Sequence, residues 1–152
     1  IYDYPSYTGS YTRAGEAINQ YLAKYPSIAL VIDLHRDAIS DAQGNYLKTV
    51  ATVEGESSAQ PLVIVGTDWG GLPHPNWREN LALGMRLQDT LCTLYPGLAR
   101  PLQLRTERFN GHALRGALLL EIGSCGNTLE EALYAAELVG NALSKTLLSL
   151  MP

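Results

Sequence analysis

IALVIDLHRD, residues 28–37, is an unbroken β-branched and aliphatic run that stops at a histidine set among two aspartates and an arginine. A run of this kind predicts a strand buried on both faces from Ile28 to Leu34, with His35 where the strand ends. Two further stretches read the same way: residues 61–66, PLVIVG, and residues 117–122, ALLLEI, the second with Glu121 near its end. Helical periodicity fills the gaps between them. Ala14, Ala17, Ile18, Tyr21 and Leu22 recur at helical spacing from Ser10 to Lys24, with Ser10 or Thr12 available as the cap. A capping-box pair, Asn76 with Glu79, opens a helix to Leu94 that keeps Leu81, Met85, Leu87, Leu91 and Leu94 on one side. Thr128 with Glu131 opens another, whose predicted apolar stripe is Leu129, Leu133, Ala136, Leu143 and Leu147. Tyr46 to Val53 alternates weakly and predicts a short surface hairpin; Pro101 to Leu104 predicts a short edge strand. Helices alternating with buried strands imply an α/β layer architecture on a mostly parallel central sheet flanked by helices. In such a sheet the carboxyl ends of the strands face the ligand crevice, so His35 and Glu121 share one site if their strands are parallel neighbours.

The composition excludes several classes. At 152 residues, 46% hydrophobic, 17% charged and with a formal net charge of -4, the chain reads as one mildly acidic globular domain without the basic patch that nucleic acid requires. Its longest apolar runs, such as Ala117 to Leu120, fall far short of the roughly 20 residues of a membrane span, and no signal peptide opens it. The two cysteines, Cys92 and Cys125, belong to no CxxC or Cys/His cluster and are expected as free thiols. The chain starts at Ile1 without a methionine, in what reads as a loop already in progress, which predicts a fragment of a longer protein.

Two groups carry potential chemistry. Asp33 precedes His35 by two residues, hence on the same face of an extended strand, where it could orient the imidazole; Asp37 would again face the site and Arg36 the opposite side. Glu121 is the stronger anomaly, because a carboxylate inside a strand fit for full burial is costly unless paired or put to use. A structural ion pair to Arg36 or Arg108 is one reading; a general base of raised pKa or a metal-site carboxylate is the other. His74 and His112 fall in loops and read as surface residues, Asn76, Arg78 and Asn80 as capping and surface residues. Cys125 has no histidine in its own segment to activate it as a nucleophile. These residues alone support a metal-assisted or acid-base hydrolase, or a module that binds a ligand in the strand-end crevice.

The segments YDYPSYTGSYTRA, YPSIALVIDLHRDAI, VGTDWGGLPHPNWRENLALGMRLQ, LYPGLARPLQLRTERFN and LLLEIGSCGNTLEEAL, in this order, closely resemble the stage II sporulation protein P family, among the zinc-dependent N-acetylmuramoyl-L-alanine amidases of the third type. The resemblance implies a three-layer fold and a single catalytic domain over residues 1–152, incomplete at its N-terminus and lacking strands there, so that the sheet keeps an exposed edge. It implies peptidoglycan as substrate, cut at the amide between N-acetylmuramic acid and the L-alanine of the stem peptide during endospore engulfment, with cross-link endopeptidase activity in some members. A non-catalytic murein-binding or complex-forming domain is the alternative. By the same resemblance His35 is the last zinc ligand and Glu121 the catalytic glutamate. The other two ligands, a histidine and a glutamate, are expected upstream of Ile1, and this chain alone is expected to bind zinc poorly. Asp33, Asp37, Asn110 and His112 are expected around the metal or the substrate, and Thr67 to Trp77 with Arg108 to His112 along the groove. The implied partners are stage II sporulation proteins D and M; the implied location is outside the cytoplasmic membrane, reached through an N-terminal anchor.

Overall fold

The structure of the protein, a computed structural model, describes Tyr2 and residues 4–151. Its centre is β6, Ala117–Ser124, whose eight residues are all buried. On one side β6 pairs in parallel with β1, Val31–Asp37. On the other it pairs antiparallel with β4, Pro61–Gly66, and β4 pairs in parallel with β5, Gln103–Arg105, giving the order β1-β6-β4-β5. The mostly parallel sheet is as the alternation of elements predicts.

Alternation along the strands sorts the core onto two faces. Leu118, Leu120 and Ile122 of β6 and Val63 and Val65 of β4 pack with Leu87 and Leu91 of α2, Trp77–Leu94, and with Ala135, Leu138, Val139 and Ala142 of α3, Leu129–Leu148. The opposite face carries Leu62, Ile64 and Leu119 under Phe109. The first helix, α1, Ser10–Lys24, lies on that side, with Tyr11 against His35. Helices on both faces of one sheet make the three layers.

The ends of α1 fall where the periodicity puts them, but its cap differs. Gly9 is the N-cap at φ 85, a left-handed conformation that costs glycine little, and neither Ser10 nor Thr12 caps the helix. Asn76 likewise makes no cap bond; its Nδ2 donates to the His112 carbonyl instead. Met85 of α2 is exposed, and Gly84 rather than a large residue faces Val63 and Val65, where a Cβ would meet their methyls at 3.3 and 3.2 Å.

At α3 the capping box forms as read: Thr128 Oγ1 accepts from the Glu131 amide at 3.2 Å and Glu131 Oε2 from the Thr128 amide at 3.0 Å. Glu131 accepts as well from Lys48 Nζ at 2.7 Å, Asn127 Nδ2 at 2.9 Å and Ser57 Oγ at 3.2 Å, and these donors, Lys48 foremost, hold its carboxyl at about 2. The predicted stripe is displaced in its first half: Leu129, Leu133 and Ala136 are exposed and Ala132, Ala135, Val139, Ala142 and Thr146 are buried, while Leu143 packs half-buried on the core. Small residues let the helix lie close to the sheet and to α2.

The hairpin and β1 differ from expectation. The hairpin comprises β2, Val50–Val53, and β3, Glu56–Ala59, turning at Glu54 and Gly55 with φ 52 and 89. Two left-handed residues match the twist of a tight hairpin, and they set the turn eight residues after Tyr46, where the hairpin was predicted to begin. It is only partly a surface feature, since Val53, Ser58 and Ala59 are buried. β1 begins three residues later than predicted, at Val31, and continues to Asp37, so His35 lies inside the strand. It is not buried on both faces: it is an edge strand, half-exposed, with Leu34 65% accessible. The outer edge of β1 has no partner strand among the described residues. Cys92 and Cys125 are free. Among the described residues no helix is long and apolar enough to cross a membrane.

Candidate functional site

The parallel pairing of β1 with β6 places His35 directly opposite Glu121. Residues directly across a sheet point to the same face, so the two side chains stand together on the face that carries α1. Glu121 is 9% exposed, and its Oε2 is buried without a hydrogen-bond partner among the described residues. Burial raises its carboxyl above the ordinary glutamate range; Asp37 and Asp33 push the same way, against the pull of His35 and Arg100.

Neither arginine considered as a structural partner for Glu121 reaches it. Arg36 Nη2 donates to the carbonyls of Ser124, at 2.8 Å, and Asn127. Arg108 Nη1 donates to the Pro73 carbonyl at 2.8 Å. The cation that does act on Glu121 beside His35 is Arg100, which the sequence did not single out; its Nη1 binds Asp37 Oδ2 at 2.8 Å. With no ion pair of its own among the described residues, the buried carboxylate holds a proton more readily than an exposed glutamate.

The remaining sequence-predicted residues separate. Asp33 lies on the face its spacing predicts, its Oδ1 3.0 Å from His35 Nε2. Asp37 follows a bulge in the β1–β6 pairing and is held by Arg100. Asn110 adopts a left-handed φ of 58 and spends its Nδ2 on the Tyr11 carbonyl at 2.8 Å, fastening the start of α1. His112 lies in the 3-10 turn Gly111–Ala113, which packs against β6, α1 and α2. Because β4 runs antiparallel to β6, the loop after Gly66 leaves the sheet at the end opposite Glu121, whose neighbour on β4 is Leu62. Leu72 of that loop and His112 nevertheless line a cleft of about 570 Å3 that begins at Tyr11, also lined by Glu16, Arg108 and Asn110. A second cleft of about 310 Å3 is lined by Tyr7, Tyr11, Asp33 and His35 and shares Tyr11 with the first.

His74 is a correction. Predicted at the surface, it is 2% exposed, and neither ring nitrogen has a hydrogen-bond partner among the described residues. Its ring meets that of His112 edge-on at 6.2 Å, and His112 Nδ1 is likewise buried and unpartnered. Asn80, also predicted at the surface, is 1% exposed, its Nδ2 donating to the Gly111 carbonyl at 2.9 Å. The loop is closed over its histidines by bonds to residues more than 30 positions away, which local sequence does not display.

Burial lowers both imidazoles, helped at His74 by His112 and at both by Arg108, with Asp68 opposing at His74. Since the folded values lie below the unfolded ones, the unfolded chain binds more protons as pH falls. Stability that is complete above the ordinary histidine value of about 6.5 is therefore lost as pH drops through and below it. The urea midpoint is expected to fall between pH 7.5 and 5.5 in the native protein and to fall less in His74→Gln. An equal fall in both would show that this pair is not responsible.

Among the described residues there is no group of three or more His, Cys, Asp or Glu side chains that could hold a metal ion. Catalytic zinc is held by three protein ligands with a position left open. The described residues offer one imidazole at this point, His35, and one of its nitrogens faces Asp33. They do not by themselves fit a zinc ion.

The family model of Stage II sporulation protein P (SpoIIP) matches residues 1–144 of the chain. Stage II sporulation protein P of Bacillus subtilis (strain 168) is 28% identical over 145 residues, which is 92% of this chain and 34% of that protein. The chain thus spans about a third of the length of this curated relative. No solved structure matches it. With the family match running across nearly the whole chain, through the strands that carry both His35 and Glu121, the protein belongs to the stage II sporulation protein P family.

Proposed function

We propose that this domain hydrolyses peptidoglycan at the amide joining N-acetylmuramic acid to the L-alanine of the stem peptide, with Glu121 as general base. One observation supports this most: a buried carboxylate of raised pKa, one oxygen of which has no hydrogen-bond partner among the described residues, stands opposite a histidine that lies 3.0 Å from an aspartate. Glu121 takes the proton of a water molecule as its oxygen forms a bond to the amide carbonyl carbon. The same proton then passes to the leaving nitrogen as the C–N bond breaks, so that one carboxylate serves both steps and is regenerated. A base near the working pH does this best, which is the direction in which burial moves Glu121.

Zinc is proposed on the family resemblance. His35 would be one ligand to it, and the further donors would have to come from outside the described residues. Action outside the cytoplasmic membrane, together with stage II sporulation proteins D and M, is proposed on the same footing. The reading is tested by incubating the intact protein that contains this chain with purified peptidoglycan. Newly exposed L-alanine amino groups are expected. Murein that is bound but left uncut would favour the non-catalytic domain instead.

A further inference from the structure

The position of His35 is constrained from two directions, and only one of them comes from its own strand. Asp33 meets the ring edge at Nε2, 3.0 Å away. Beside the ring lies Tyr11, in the first turn of α1, whose ring is nearly parallel at 11° with centroids 6.0 Å apart. Offset-stacked rings at such a separation attract beyond their buried area. Tyr11 is itself fixed: Phe109 packs on it at 5.6 Å and 57°, and Asn110 Nδ2 holds its carbonyl at 2.8 Å. Phe109 in turn is seated on Leu62, Ile64 and Leu119 of the sheet. A continuous chain of contacts thus runs from the sheet interior through Phe109 and Tyr11 to the imidazole. Nothing else in α1 reaches His35 with an aromatic ring.

We propose that Tyr11 is a positioning residue of the site, setting the plane of His35 by stacking while Asp33 sets its rotation and tautomer. An ionised carboxylate can only accept, so with Asp33 Oδ1 3.0 Å from Nε2 the neutral His35 is expected to carry its proton on Nε2 and its lone pair on Nδ1. A ring held at one edge can still swing about that contact; a second ring lying parallel and offset beside it restricts the swing. The lone pair then keeps a single direction, which a metal ligand or an acceptor of a substrate proton needs. Because the ring supplies the constraint, phenylalanine should serve at this position and an aliphatic residue should not.

The proposal deepens the hydrolase reading, and its main test does not depend on that reading. Long-range 1H–15N spectra of the intact protein in mildly alkaline solution report the tautomer of His35, and its ring-proton shifts report the stacked aromatic. The native protein and Tyr11→Phe are expected to show one tautomer, protonated on Nε2, with ring-current-shifted His35 protons. Tyr11→Leu is expected to lose the ring-current shift and to show a tautomer mixture. His35 signals unchanged in Tyr11→Leu would overturn the proposal, and so would their loss in Tyr11→Phe, which remains decisive if the leucine variant does not fold. On peptidoglycan, Tyr11→Leu is expected to lower kcat on the order of tenfold or more with little change in KM, and Tyr11→Phe to restore it. Native protein without any hydrolysis would remove the hydrolase reading while leaving the spectroscopic result standing.

Discussion

Glu121→Gln is expected to lower the rate of peptidoglycan cleavage by roughly 10²–10⁴-fold, the usual contribution of a positioned general base, while leaving the fold intact or firmer. The two halves of this expectation have one cause. In the native protein the carboxyl is buried, and its Oε2 has no hydrogen-bond partner among the described residues, so its charged form is held at a cost. Its folded pKa lies above the ordinary glutamate value. For a group raised in this way the folded state binds more protons than the unfolded one. Stability is therefore full below about 4.5 and declines as pH rises through the folded value. An amide of the same shape carries no charge and escapes that decline. The variant should thus match the native urea midpoint in mild acid and equal or exceed it at neutral pH. Loss of stability at neutral pH would mean that Glu121 is a structural ion-pair partner after all. Unchanged cleavage in a folded Glu121→Gln would remove it as the base.

The pairing of His35 with Glu121 was legible because it needs only two local facts and one topological one. Asp33 and His35 share a face by the two-residue period of a strand; Glu121 is conspicuous as a charge in an apolar run; and the parallel neighbourhood of their strands, a condition that spacing alone does not establish, is met in the fold. What could not be read depends on partners distant in the chain. An apolar run such as residues 28–34 looks the same for a central strand and an edge strand, since the difference lies in whether another strand sits beside it. The stripe of α3 was displaced because apolar residues surround much of that helix, and close approach selected its alanines over Leu129 and Leu133. Tyr11, Arg100 and His74 were missed for the same reason: Tyr11 stacks on a residue 24 positions away and Arg100 pairs with one 63 positions away. One signal was available for Tyr11. It falls in the first turn of a helix directly preceding the strand of His35, and such a helix must pack near that strand.

Asn80 should prove the most costly polar side chain to remove. It is 1% exposed, and its single amide joins three elements: Nδ2 donates to the Gly111 carbonyl at 2.9 Å, and Oδ1 accepts from the backbone N–H groups of Gly116 at 2.8 Å and Ala117 at 3.3 Å. In this way α2 holds both the 3-10 turn beside His74 and the first residue of β6. Gly116, at φ 87, has the Ala29 carbonyl 2.6 Å from where a Cβ would sit, so the chain entering β6 is pressed against the approach to β1 and cannot shift to find other partners. Asn80→Ala therefore strands a carbonyl and two N–H groups. At roughly 1–3 kcal/mol for each buried group left unsatisfied, offset in part by water entering the space vacated, the loss should be about 3–5 kcal/mol of unfolding free energy. The cause can be checked separately from the size. Amide hydrogen exchange at Gly116 and Ala117 should accelerate more than at Leu119 or Leu120, whose bonds lie within the sheet. A loss below about 1 kcal/mol, or exchange that accelerates uniformly along β6, would show that the strand is registered by its neighbours and that Asn80 merely fills space. If instead the acceleration is confined to the start of β6, then Asn80 fixes the register of the strand whose fifth residue is Glu121, directly across from His35.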